Sequence, residues 1–137
     1  MDCAEKLRSL YTEYLDKVDR LLKESKPADG LLGMGKAPQH DACHDWFDQQ
    51  VAEAVQGAQG QEREVVAQLL FGEQEYAAPS CASWMLVAVQ RHALPLIPAL
   101  SGKEAAELMS AYGELYSFFS RLPMQKEILA ALKKQSG

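Results

Sequence analysis

From Leu7 to Leu22 apolar side chains return every three or four positions, at Leu7, Leu10, Tyr11, Tyr14, Val18, Leu21 and Leu22, with charges in the gaps. An α-helix turns about 100° per residue, so this spacing gathers the apolar set on one side. The pattern predicts a helix from about Cys3 to Glu24. A helix with so wide an apolar side has to bury it against other elements, and the rest of the chain must supply them. Lys26-Pro27-Ala28-Asp29-Gly30 closes the run, because proline breaks the hydrogen-bond ladder and glycine permits a left-handed exit.

Five further helices fit the remainder of the chain. After a loop rich in glycine (Gly30, Gly33, Gly35) and Pro38, a second helix is predicted from about His40 to Gln56, with Cys43, Phe47, Val51, Ala54 and Val55 on one side and Gly57 as its stop. Val65, Val66, Leu69 and Leu70 carry a third from about Gln61 to Phe71. Ser80 is the expected N-cap of a strongly apolar fourth helix that Pro95 kinks or ends. Ser101 and Glu104 have the spacing of a capping box and should start a fifth helix, striped by Ala105, Leu108, Met109, Tyr112 and Phe119 as far as Arg121. Pro123 suits the first turn of a sixth, in which Met124, Ile128 and Leu132 face inward and Lys133 and Lys134 complement the C-terminal dipole. No period-two run of β-branched residues and no internal repeat interrupts the series. The expected fold is therefore all-α, a compact single-domain bundle of five to six mostly antiparallel helices spanning residues 1–137.

Composition agrees with a packed core and excludes some functions. The 137 residues are 47% hydrophobic and 24% charged, the balance of a globular domain. Nineteen acidic against 14 basic side chains leave a net charge of −5 with no basic cluster, so nucleic acid is not an expected partner. Gln90, Arg91, His92, Pro95 and Pro98 interrupt the most apolar stretch, Trp84 to Leu100, which reads as a core helix and not a membrane span. Met1-Asp2-Cys3-Ala4-Glu5-Lys6 lacks the features of a signal peptide, and Cys3, Cys43 and Cys81 are widely spaced, so a cytoplasmic protein with reduced thiols is expected.

Three patterns bear on chemistry. Gly30-Leu31-Leu32-Gly33-Met34-Gly35-Lys36 has the glycine and lysine spacing of a phosphate-binding loop. Ala37 supplies no hydroxyl for magnesium and no strand precedes the loop, so a plain connector is the expected reading. The second pattern is His40-Asp41-Ala42-Cys43-His44-Asp45-Trp46-Phe47-Asp48: on a helix His40 and His44 stack one turn apart with Asp48 a turn beyond, a spacing from which two imidazoles and a carboxylate can reach one metal ion. In the fourth helix Cys81, Met85, Ala88 and His92 form an inward stripe that offers His92 as a third ligand. At about 1.5 Å of rise per residue Cys81 and His92 stand about 16 Å apart, too far to serve one ion together.

The pairs formed by His40, His44 and Asp48 make the chain similar to hemerythrin-like and other histidine-rich bundle metalloproteins. From the residues themselves, one expectation is a metal-binding bundle with zinc or iron held by His40, His44 and either His92 or Asp48. The competing expectation is that acidic groups or backbone hold the imidazoles, and that the protein acts by binding a protein partner or a second copy of itself, with no catalytic step assigned. Neither Cys43 nor Cys81 has a nucleophile signature, and both are expected to be inert thiols. Tyr11, Tyr14, Tyr112, Tyr116, Phe118 and Phe119 are expected to pack the first helix against the fifth.

Overall fold

The computed structural model describes residues 2–24, 38–117 and 121–137. Among them the chain forms six α-helices and no strand: α1 (Cys3–Glu24), α2 (Pro38–Val55), α3 (Glu62–Phe71), α4 (Ser80–Ala88), α5 (Gly102–Leu115) and α6 (Pro123–Ser136). A 3₁₀ turn over Gly72–Glu75 follows α3, and a longer 3₁₀ segment over Val89–Ala99 continues α4. The protein is an all-α bundle. No helix among the described residues is long and apolar enough to cross a membrane.

Leu7, Leu10, Tyr11, Tyr14 and Val18 are all buried, as the stripe of α1 requires. They join Phe47 and Val51 of α2, Val65, Val66, Leu69 and Leu70 of α3, Leu86 of α4, Leu108 and Tyr112 of α5, and Ile128 and Leu132 of α6 in one apolar cluster. Residue pairs set the directions. Cys3 meets Ala54 while Tyr14 meets His44, so α1 and α2 are antiparallel. Cys3 also meets Gln61 and Arg8 meets Gln68, so α1 and α3, two connections apart, are parallel.

Four features differ from the sequence expectation, each for a physical reason. Ser80 is not the N-cap of α4: Pro79, in an extended conformation, holds that place, and its carbonyl accepts from Ala82 and Ser83 at 2.9 Å. The α-helix gives way to 3₁₀ geometry at Val89, well before Pro95. Pro95 and Pro98 have no N–H to donate and their rings crowd the carbonyls four residues back, so the preceding turns tighten to i→i+3 bonding. Helix α5 stops at Leu115 rather than Arg121, because the Arg121 side chain folds back as its cap, Nε donating to the Tyr116 carbonyl at 2.8 Å and Nη2 to that of Gly113 at 3.2 Å. Among the described residues no ring of α1 packs on a ring of α5. Tyr14 stacks on Phe47 at 4.2 Å and Tyr11 meets it edge-on at 5.3 Å, whereas Tyr112 meets Phe71 and Tyr116. Phe118 and Phe119 lie outside the described residues.

The capping box at α5 forms as its spacing predicts: Ser101 Oγ accepts from the Glu104 N–H at 3.1 Å, and Glu104 accepts from the Ser101 N–H at 2.9 Å. Pro123 opens α6, whose Gln125 side chain reaches back to the Leu122 N–H at 3.0 Å.

Candidate functional site

Helix α2 begins at Pro38, so His40, His44 and Asp48 lie within it at the helical spacing that aligns them on one side. His44 is 9% exposed, and its Nδ1 lies 2.6 Å from the hydroxyl of Tyr14 on α1. Tyr14 is fully buried, and burial, with Cys43 and Cys81 nearby, raises its phenol far above the ordinary tyrosine value. The phenol therefore keeps its proton. His44 Nδ1 is the partner that hydroxyl has among the described residues, so Tyr14 donates and Nδ1 accepts. A neutral His44 then carries its own proton on Nε2.

On its outer side His44 meets the edge of the Trp84 ring, with centroids 5.1 Å apart and planes at 70°. Trp84 is 49% exposed, yet its indole N–H is already used, donating to the Cys81 carbonyl at 2.8 Å. The ring is thus fixed by α4 beneath it and by His44 beside it. What it shows to solvent is an apolar surface with no polar group left to satisfy.

One turn further along α2, Asp48 takes two partners from the 3₁₀ segment. Arg91 Nη2 reaches Oδ2 at 2.6 Å, and His92 Nε2 lies 2.9 Å from Oδ1. Partial burial pushes the Asp48 carboxyl up, but the hydrogen bonds and charges of Arg91 and then His92 outweigh it and hold the group below its ordinary value. The contacts His44 to Trp84 and Asp48 to Arg91 follow the same order on both elements, so α2 runs parallel to α4 and its 3₁₀ extension. Asp48 is the brace between them.

Of the sequence candidates, the structure brings Asp48 and His92 together, sends His44 to Tyr14 instead, and leaves His40 half-buried one turn before His44. Among the described residues no group of three or more His, Cys, Asp and Glu side chains is placed to hold a metal ion. Cys43 is 8% exposed with its thiol pushed up by burial, against the lowering effect of Lys17. Cys3, Cys43 and Cys81 are all free thiols. The glycine and lysine pattern from Gly30 to Lys36 lies outside the described residues.

Two members of this site escape sequence reasoning. Tyr14 reads as one more ring in the stripe of α1, since spacing within a helix says nothing about the partner across the interface. Trp84 sits in a helix that is apolar on every side, so no periodicity marks the residue that faces out. No family model, curated protein or solved structure matches this chain.

Proposed function

We propose that this protein acts by binding, to another protein or to a second copy of itself, with the face around Trp84 as its contact surface and no catalytic step. One observation carries the reading: a half-exposed tryptophan held in a single orientation with its N–H satisfied from within. Such a ring gives a partner a large apolar area at little cost in side-chain entropy, which is why tryptophan is enriched among the residues that dominate binding energy. The surroundings suit that role. Residues 77–99 contain one formally charged side chain, Arg91, in a chain that is otherwise 24% charged, and Ala77, Pro79, Pro95, Pro98 and Ala99 are exposed along with Trp84.

The test places a photo-crosslinking amino acid at Ser80, exposed and one turn from Trp84, and a control at Glu13 on the outer side of α1. The reading expects a discrete adduct from position 80 that Trp84→Ala abolishes, and none from position 13. Equal labelling from both positions, or an adduct indifferent to Trp84→Ala, would overturn it.

A second reading, a zinc or iron site built on His40, His44 and either His92 or Asp48, draws on the carboxylate that holds His92 Nε2, the way ligand imidazoles are commonly oriented. Against it, Asp48 spends both oxygens on Arg91 and His92, and His44 Nδ1 is used by Tyr14. Elemental analysis of tag-free protein decides: near-stoichiometric metal that His44→Ala removes supports this reading, and metal-free protein that takes up neither ion at about micromolar concentration discards it.

A further inference from the structure

We draw no further inference here: the strongest candidate, the apolar surface patch around the half-exposed Trp84 on α4, carries nothing beyond the contact surface proposed above, because nothing in the structure shows what covers it.

Discussion

Gln90 and Trp84 lie six residues apart on one continuous stretch, and each occupies the place usual for the other. Gln90 is polar and 0% exposed; Trp84 is the bulkiest apolar residue of its helix and 49% exposed. The interior has answered for the first. Gln90 Oε1 accepts from the Tyr112 hydroxyl and from Gln125 Nε2 at 3.4 Å, while its Nε2 donates to the Tyr116 hydroxyl at 2.9 Å and to the Leu70 carbonyl at 3.5 Å. The Tyr116 hydroxyl donates in turn to Glu73 Oε2 at 3.2 Å, and burial pushes its phenol up to about 12. A network this complete ties α5, α6, α3 and the 3₁₀ segment together and explains the amide in folding terms alone. Among the described residues nothing covers the exposed part of the Trp84 ring in the same way. The difference separates a polar group that serves the fold from an apolar one that the fold leaves in solvent, where the proposed contact needs it.

The comparison is broken most severely at Gln90. Gln90→Ala removes four hydrogen bonds, leaves Tyr112 and Gln125 facing a cavity, and is expected to cost about 4 kcal/mol in urea unfolding. Next in size is Gly72→Ala. A Cβ there meets Gln68 Nε2 and Tyr11 Cε2 at 2.8 Å each, and the Tyr11 ring is fully buried and has no room to yield, so a loss of about 2 kcal/mol is expected by the same measurement. Trp84→Ala sharpens the comparison from the other side. With half its ring already in water, its loss costs about 1.5 kcal/mol in urea unfolding, well below that of a buried tryptophan, while the crosslinked adduct at position 80 is lost.

The smallest effect belongs to Asp48→Asn, about 1 kcal/mol or less, since Asp48 and Arg91 are partly solvated. It also changes the acid limb of the stability profile. The Asp48 carboxyl is held below its unfolded value, so its contribution is fully present above that value, about 3.9, and is lost as pH falls through the folded one. The asparagine variant should lose less stability than the parent over that acid range. Equal losses in the two proteins would show that the brace contributes nothing.

How legible these features were in the sequence depends on how local their causes are. The stripe of α1 as far as Val18, the Ser101 and Glu104 capping box and the Pro123 start of α6 are written within a few residues, and each appears where its spacing places it; Leu22, counted in the stripe, lies exposed in the last turn of α1, where the core ends. The onset of 3₁₀ geometry at Val89 is less local: the two prolines act upstream of themselves and on each other's turns. The end of α5 depends on a side chain folding back from Arg121, which no helical period describes. At the site, the phase of α2 turned His44 inward as its position relative to Cys43 and Phe47 implied. Its Tyr14 partner, and the meeting of Asp48 with Arg91 and His92, depend on how the helices are laid together. That information is in the packing and not in any one segment.

The central claim is that Trp84 is a contact group and not a displaced core residue. Trp46, half-buried beneath the Lys17 ammonium at 4.7 Å, is the other tryptophan, so Trp46→Phe leaves Trp84 as the only indole. Acrylamide quenching of that variant reads the exposure of Trp84 alone. The account predicts strong quenching and long-wavelength emission from Trp84 in dilute solution. Weak quenching with emission at short wavelength, the signature of an indole buried in the core, would contradict the account.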